Sequence, residues 1–328
     1  MKVLFVGPYP PPHGGISVHV WSAHARMKRM GQQSSVLNVD PRAPESDAYI
    51  KISGAPGLLR ELARHVCDDW SLNVHTNGHN PKSWFIALAC GLAAQVGPEA
   101  TLTLHSGLAP AYIRSSTFWK RQITRFACLL YTRIVCVNSE IAETVAQLGI
   151  ERRQIEITPA FLPVDMRDVD LTPEIESWVK IHSPLLSATM FFRPEYGFDL
   201  LVTAMERLKR HFPDIGCVVM GSGEDKGAAE DLVARSGLSE TLYLAGDLDH
   251  ETCLALMARC AAFVRPTRRD GDSISVREAI SMKVPVVASN VGTRPDGTVL
   301  FEAGDVDGFV KSIRTVLRGS IELAVRSS

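Results

Sequence analysis

The 328-residue sequence lacks most features of extracellular, membrane-spanning or nucleic-acid-binding chains. Its formal net charge is −1, so no basic excess attracts it to nucleic acid. Its cysteines include no C-x-x-C pair, which argues against a disulfide framework or a zinc site and is typical of reduced, buried thiols. The seven cysteines are scattered at positions 67, 90, 128, 136, 217, 253 and 260.

Long hydrophobic runs are also missing. The most apolar long segment, 84–96, is shorter than the roughly 20 residues that span a bilayer. At the N-terminus, the apolar run of MKVLFVGPYPPP is too short for a signal peptide and ends at prolines. With 45% hydrophobic and 22% charged residues, the chain can bury a full core. We therefore expect a cytosolic protein of bacterial type.

Short apolar strands alternate with amphipathic helices along two stretches of the chain, which predicts βαβ units and parallel sheets. The first domain is predicted at 1–162 and the second at 185–328. Between them, 163–184 contains three prolines and a run of acids and is predicted to be a linker. The predicted strands are 2–6, 35–39, 72–75, 101–105, 134–137, 155–158, 185–190, 217–220, 242–244, 262–264 and 284–288.

In doubly wound sheets, ligands bind where loops leave the carboxyl ends of the strands. Gly14 and Gly15 follow the first predicted strand and precede a helix, where paired glycines let a backbone approach a phosphate. The alternative is a loop with turn duties only. His75 and His105 end two later strands and are candidate donors to a sugar hydroxyl, or else histidines satisfied by nearby backbone.

The second half repeats this arrangement. A turn of three residues after a strand, Gly221, Ser222 and Gly223, is a plausible cradle for a phosphate or nucleoside. Asp247 follows the next strand. Arg193 lies just past the first strand of this domain and could bind a diphosphate, the alternative being a loop arginine in water.

The stretch RRDGDSISVREAISMKVPVVAS, 268–289, places Asp270 and Glu278 eight residues apart around a Gly-Asp-Ser turn. Ser275 and Glu278 fit the S-x-x-E capping box, which would make Asp270 an ordinary turn residue. The alternative is a ligand site at a helix N-terminus, with Asp270 in the loop and Glu278 in the first turn.

A further segment, 114–133, combines aromatic and basic residues. On a helix, Trp119, Ile123 and Phe126 would fall on one side, and Lys120 and Arg125 toward the other. This pattern is typical of an ordinary domain helix with its polar side in water. It also suits a peripheral membrane contact.

Taken together, these residues resemble the retaining nucleotide-sugar glycosyltransferases of family 4, the group 1 class with the GT-B fold. Asp270-x7-Glu278, followed by REAISMKVPVVAS, is similar to that family's E-x7-E signature. Gly14-Gly15 matches its N-terminal glycine loop, His105 its active-site histidine, and Gly221-Ser222-Gly223 its G-x-G turn. The resemblance covers nearly the whole chain in the right order.

The resemblance implies two Rossmann-like, doubly wound parallel-sheet domains facing a cleft, with the nucleotide mainly on the second and the acceptor on the first. It implies no metal and no cofactor, the nucleoside-diphosphate sugar being a substrate. Glu278 would hold the ribose hydroxyls and Asp270 the donor sugar. His105 would orient the sugar, and Arg193 would meet the departing diphosphate. The amides of Gly271, Asp272 and Ser273 would meet the phosphates.

The sequence departs from the family pattern at four positions. Asp270 replaces the usual Glu of the signature, and Lys283 replaces the glycine before the P-V-V strand. Phe191 and Tyr196 stand where R-x4-K-G expects the arginine and lysine that steady the diphosphate. We expect Arg268 or Arg269 to supply part of that charge. After residue 317, little chain is left to form the long C-terminal helix that is usual in the family.

The predicted function is transfer of a sugar, with retained configuration and without a metal, from a nucleoside-diphosphate sugar to a polysaccharide, glycolipid or other hydroxyl acceptor. The expected location is the cytoplasm or, through 114–133, the inner face of the membrane. One rival is a non-catalytic glycosyltransferase-like subunit that binds a nucleotide sugar or a partner enzyme. A second, a nucleotide-sugar 2-epimerase, would need no acceptor.

Overall fold

A computed structural model describes residues 2–52, 54–159, 169–223 and 225–327, and the side chains of these up to residue 319. The chain divides into two compact units, Met1–Leu162 and Pro163–Ser328. Among the described residues, no helix has the combination of length and apolar character needed to cross a membrane.

The first unit is a seven-stranded parallel sheet in the order β3-β2-β1-β4-β5-β6-β7. Its strands are β1 (Lys2–Gly7), β2 (Gln33–Asn38), β3 (Ile50–Lys51), β4 (Ser71–Thr76), β5 (Ala100–Leu104), β6 (Arg133–Cys136) and β7 (Ile155–Ile157). Its helices are α1 (Gly15–Arg29), α2 (Gly54–Cys67), α3 (Pro81–Ala93), α4 (Ala109–Ser115), α5 (Phe118–Leu129) and α6 (Ser139–Ala146), with 3-10 turns at Ala94–Val96 and Arg152–Gln154.

The second unit is a six-stranded parallel sheet in the order β10-β9-β8-β11-β12-β13. Its strands are β8 (Leu185–Thr189), β9 (Gly216–Met220), β10 (Leu242–Gly246), β11 (Ala262–Arg265), β12 (Val286–Ser289) and β13 (Thr298–Phe301). Its helices are α7 (Pro173–Lys180), α8 (Phe198–Lys209), α9 (Lys226–Arg235), α10 (His250–Ala258), α11 (Ile274–Ser281) and α12 (Val306–Ser327), with a 3-10 turn at Pro194–Tyr196.

The central strands explain why the sequence reads as apolar runs. All five residues of β9 are buried, as are all four of β11 and β12, because helices cover both faces of a doubly wound parallel sheet. The predicted fold class, two Rossmann-like parallel-sheet domains, is confirmed.

Two parts of the observed structure differ from the sequence-based expectation, and one substituted position has an unusual backbone conformation. The described part of the predicted linker 163–184 contains α7, and its Ile175 is buried with Leu185 and Met220 of the second unit. Helix α12 extends to Ser327, so the residues after 317, where little chain was expected to remain for a long C-terminal helix, are helical. Lys283, in place of the usual glycine, adopts a left-handed φ of 60°, a conformation that favours glycine.

Each sheet reverses its direction of growth once. In the second unit β8 pairs with β9 on one side and β11 on the other, and in the first unit β1 lies between β2 and β4. Loops on the two sides of such a reversal part at the carboxyl end of the sheet and leave a crevice. The loops after β8 and β11, and those after β1 and β4, are therefore the places to look for a site.

Candidate functional site

Asp270 lies in the loop after β11 and is held by two arginines from different parts of the second unit. Its Oδ2 accepts from Arg265 Nε and Arg294 Nη1, each at 3.1 Å. Arg265 ends β11 and also donates through Nη1 to the Thr189 carbonyl at the end of β8, at 2.6 Å. Arg294 donates to Thr267 Oγ1 and the Ser289 carbonyl, both at 3.0 Å. One carboxylate thus links the ends of β8, β11 and β12.

Burial alone would favour the neutral form of the Asp270 carboxyl. The charges of Arg265 and Arg294 outweigh that effect and lower the pKa of Asp270 below its ordinary value. Asp270 is consequently ionised at neutral pH. Its position at the switch between β8 and β11 agrees with a ligand site, but its hydrogen bonds in this structure go to protein groups.

Two glycines let the loops of this region approach each other closely. Gly221 follows β9 with φ +135°, and a Cβ there would lie 1.9 Å from the Met190 carbonyl oxygen. Gly292 has φ +68°, and a Cβ there would lie 2.4 Å from the Gly271 carbonyl oxygen. The Gly221-Ser222-Gly223 turn also packs on the β8 loop, where Phe192 N donates to Ser222 O at 3.2 Å. Loop packing therefore accounts for glycine at both positions.

Helix α11 begins one turn away from Asp270. Ser273 is its N-cap, and the Ser273 side chain accepts from Val276 N, which excludes the alternative of a capping box formed by Ser275 and Glu278. Gly271, Asp272 and Ser273 are buried and lead directly into the helix N-terminus. Asp272 pairs with Arg277 of the same helix at 2.6 Å.

Glu278 lies in the second turn of α11, not in the first turn as expected, and is buried. Its Oε1 contacts Nε2 of His250 at 2.6 Å. His250 begins α10 and follows the exposed Asp247 after β10. Burial would lower the pKa of His250, but the hydrogen bond and charge of Glu278 raise it above the ordinary value. Sequence patterns had not indicated His250, because only the fold brings α10 beside α11.

The positive side chains near the β8 and β11 loops differ in what holds them. Arg268 donates to both carboxylate oxygens of Asp199 at 2.8 and 2.6 Å, so this arginine is engaged in an ion pair. Arg193 is exposed, with its guanidinium carbon 5.8 Å from the centre of the Phe191 ring. Arg269 is also exposed.

Tyr196, at the position where the resemblance expects lysine, lies beside a different cation. The guanidinium carbon of Arg265 stands 5.0 Å from the centre of the Tyr196 ring. A cation therefore lies beside this loop although residue 196 carries no charge, and that cation is paired with Asp270.

In the first unit, Gly15 begins α1 and Gly14 caps it. The amide of Gly14 donates to Ser17 Oγ at 2.9 Å, so a protein group already uses that donor. The pair lies at the end of the β1 loop, on one side of the β1/β4 switch.

His75 in β4 and His105 after β5 form a buried pair, with His75 Nδ1 and His105 Nε2 3.0 Å apart. The ring of His19 from α1 lies 5.1 and 5.3 Å from their ring centres. Burial and the neighbouring imidazoles hold the pKa of both His75 and His105 well below the usual value, so both rings are neutral at pH 7.

The surroundings of the pair favour one assignment of the protons. His75 Nε2 is buried without a hydrogen-bond partner, and a proton there would be left unsatisfied. The proton of His75 therefore belongs on Nδ1, which donates to His105 Nε2. His105 then carries its own proton on Nδ1. It can present a neutral N–H donor at the carboxyl end of the sheet.

Among the described residues, no three side chains of His, Cys, Asp or Glu are arranged to hold a metal ion.

Residues 189–327 match the family described as glycosyl transferases group 1. An uncharacterised glycosyltransferase of Methanocaldococcus jannaschii is 22% identical over 89% of this chain and 80% of that protein. A phosphatidyl-myo-inositol mannosyltransferase of Propionibacterium freudenreichii is 27% identical over 51% of this chain and 42% of that protein. These matches confirm the predicted enzyme class, a glycosyltransferase.

The solved structure of HepE from Anabaena in complex with UDP-glucose superposes with a TM-score of 0.73. It is 13% identical and the match covers 99% of this chain and 95% of that one. At this identity the likeness establishes the fold, which is the predicted GT-B type.

Proposed function

We propose that this glycosyltransferase, whose residues 189–327 match group 1, transfers a sugar from a nucleoside-diphosphate sugar to a hydroxyl acceptor. The observation that carries the proposal is the second unit's switch point. There Asp270, the N-terminus of α11 and buried Glu278 adjoin, in the segment that matches the family. UDP-glucose bound to the structurally similar HepE supports a nucleotide-sugar donor.

In this proposal each element of the second unit has a defined part. Glu278, steadied by His250, accepts from the ribose hydroxyls. Gly271, Asp272 and Ser273 present the helix N-terminus to the diphosphate, while Arg193 and Arg269 supply positive charge. Arg268 is left out because it is bound to Asp199. Asp270, fixed by its arginines, faces the sugar hydroxyls.

The proposed chemistry retains the configuration at the anomeric carbon and needs no metal. The acceptor oxygen bonds to that carbon on the face from which the phosphate oxygen departs, and the acceptor proton passes to the leaving phosphate. The products are the glycoside and the nucleoside diphosphate. His105 of the first unit orients the sugar with its N–H. The proposed setting is cytoplasmic assembly of a surface polysaccharide or glycolipid, with a membrane contact through 114–133.

The rival is a non-catalytic subunit that only binds a nucleotide sugar or a partner enzyme. It is favoured by one observation: Phe191 and Tyr196 replace the expected basic pair. Turnover decides between the two, because only the enzyme transfers the sugar.

The first test is thermal unfolding with UDP, GDP, ADP and their sugar conjugates. A ligand at 100 times its dissociation constant adds about 2.7 kcal/mol of apparent stability, which is readily measured. We expect one base to be preferred. Incubation of the preferred conjugate with candidate acceptors, followed by NMR of the anomeric proton, then tests transfer and retention. No shift with any nucleotide would refute the donor site.

Replacement of His75 tests the role of the histidine pair. His75→Leu removes the donor to His105 Nε2, whereas His75→Asn replaces it with an amide N–H. Since one such hydrogen bond contributes roughly 0.5–1.5 kcal/mol, we expect kcat/KM for transfer to fall about 2- to 12-fold in His75→Leu.

His75→Asn is the matched control and should stay near wild type. The ¹⁵N shifts of His105 provide a readout independent of activity, and should report Nδ1 protonation in wild type and His75→Asn. Equal losses in both variants, or an Nε2-protonated His105 in wild type, would contradict the assignment.

A further inference from the structure

We infer that this chain docks on an anionic phospholipid bilayer through the outer side of three helices in its first unit, α2, α3 and α5. The inference extends the proposed contact of residues 114–133 to a whole helical layer. It rests on the proposed function only for its purpose, which is access to a lipid-linked acceptor.

The three helices form one layer on one face of the sheet. The crossovers β3 to β4, β4 to β5 and β5 to β6 all advance in the same direction along the sheet. Right-handed crossovers then place α2, α3 and α5 on the same face, and α1, whose crossover runs the other way, on the opposite face. α3 packs against both α2 and α5, which makes the layer continuous.

The outer side of this layer is unusually apolar. Trp119 and Phe118 of α5 are 75% and 65% exposed, and Val96, just after α3, is 83% exposed. Isolated exposed apolar residues are ordinary, but a contiguous patch marks a contact surface. The exposed apolar side chains of the layer are Leu59, Phe85, Leu92, Val96, Phe118, Trp119, Ile123, Phe126 and Leu129.

This finding reverses the ordinary interpretation of segment 114–133. That interpretation required the side with Trp119, Ile123 and Phe126 to pack inward. The structure instead buries Thr124, Ala127 and Cys128 of α5 and leaves the large apolar residues in solvent.

A groove of about 470 Å³ runs between α2 and α3 on the same layer, and its lining is almost wholly apolar. Leu59, Phe85, Leu92 and Val96 line it and belong to the exposed set. The apolar surface therefore includes a groove and extends from α5 to α3 and α2. It can receive flexible hydrocarbon chains.

The positive charge of the three helices favours an anionic bilayer as the partner of this surface. The three helices contain six lysines and arginines and one glutamate, a net charge of +5, whereas the whole chain is −1. The glutamate, Glu61, is contacted by Arg60 and Arg64. Lys120, Arg121 and Arg125 are exposed around the aromatic residues of α5. Aromatic and apolar side chains framed by cations fit the interface of a bilayer that carries anionic headgroups.

The test is sedimentation of the full-length protein with vesicles of phosphatidylcholine alone, or of phosphatidylcholine mixed with phosphatidylglycerol. We expect binding to the anionic vesicles, weakened by salt, and little binding to the neutral ones. Trp119→Ser/Ile123→Ser/Phe126→Ser and, separately, Lys120→Glu/Arg121→Glu/Arg125→Glu should each lower the partition coefficient at least about tenfold.

Matched controls come from the opposite face of the same sheet. Arg26→Glu/Lys28→Glu in α1, and Met30→Ser after it, change the same kinds of exposed side chain and should bind as wild type. All the altered residues are exposed, so thermal unfolding without vesicles should match wild type in every variant.

Vesicle binding unaffected by either triple variant would overturn the inference. So would a wild-type dimer that the α5 variants convert to monomers while vesicles stay unbound, because a second copy would then cover the face. Nucleotide-induced stabilisation is measured on the same preparations. A chain that binds UDP-sugars but no vesicles refutes this inference alone, and the reverse result refutes the donor site alone.

Discussion

Replacing Glu278 by glutamine is expected to remove most of the stabilisation that a nucleotide gives. In Glu278→Gln the amide oxygen stays with His250 Nε2 and the amide NH2, which cannot accept from a ribose hydroxyl, replaces the second carboxylate oxygen. A hydrogen bond from a ribose hydroxyl to a buried carboxylate contributes roughly 1.5–3 kcal/mol, so its loss weakens binding by about 10- to 150-fold. At a ligand concentration that adds about 2.7 kcal/mol to wild type, a variant that binds 100-fold more weakly gains only about 0.4 kcal/mol. Thermal unfolding with and without the preferred nucleotide measures the difference.

Glu278→Gln also has a readout that does not need the ligand. The pKa of His250 is raised because Glu278 outweighs burial, so the pair stabilises the protein fully below the ordinary histidine pKa, about 6.5. That stabilisation is lost as pH rises through the folded-state pKa of His250. In Glu278→Gln, an NMR titration should show a lower His250 pKa, and this part of the pH dependence should vanish.

Glu206→Gln, an exposed change on α8, is the matched control for both measurements. If Glu278→Gln kept full nucleotide stabilisation while the His250 pKa fell, Glu278 would be a structural partner of His250 and not a ligand of the ribose.

Asp270→Asn is expected to lower the free energy of unfolding by about 3–5 kcal/mol, because it leaves two buried arginines without their shared counter-ion. Arg265 and Arg294 both depend on this carboxylate, and Arg265 also contacts the end of β8. Urea denaturation at pH 7 measures the effect.

Asp199→Asn supplies the comparison within the same domain. Asp199 also pairs with an arginine, Arg268, but its side chain is 61% exposed. Exposed pairs contribute about 0–1 kcal/mol, so this variant should stay close to wild type. Equal destabilisation by the two substitutions would show that burial does not determine how much the Asp270 ion pairs contribute to the free energy of unfolding.

The fold could be predicted from the sequence because each buried parallel strand is a short run of apolar residues. Two strands, β3 and β13, were not predicted. β3 has two residues, and β13 is half-exposed after a Pro-Asp-Gly turn, so neither forms a buried run. Helix α7 was not predicted because Pro173 was interpreted as a helix breaker, whereas it lies in the first turn of the helix, where proline is common.

The candidate site was less accessible to sequence reasoning, because its partners meet only in three dimensions. Asp270 was predicted as a site residue, but Arg294 reaches it from the loop after β12, 24 positions away. His75 and His105 were each identified as strand-end histidines. Their hydrogen bond depends on the register that sets Thr76 opposite Leu104. A sequence pattern can identify candidate site residues. The hydrogen-bond partners of each side chain depend on how the strands pair in the folded protein.

The charge of the α2, α3 and α5 layer also affects how the molecule approaches a charged surface before contact. Since these helices carry +5 and the whole chain −1, the rest of the chain carries −6. Near a negatively charged surface, the basic layer is attracted and the acidic residues of the remainder are repelled, and both effects act within about one Debye length, some 8–10 Å. Productive encounters then become a larger share of all collisions, and salt should slow arrival more than departure.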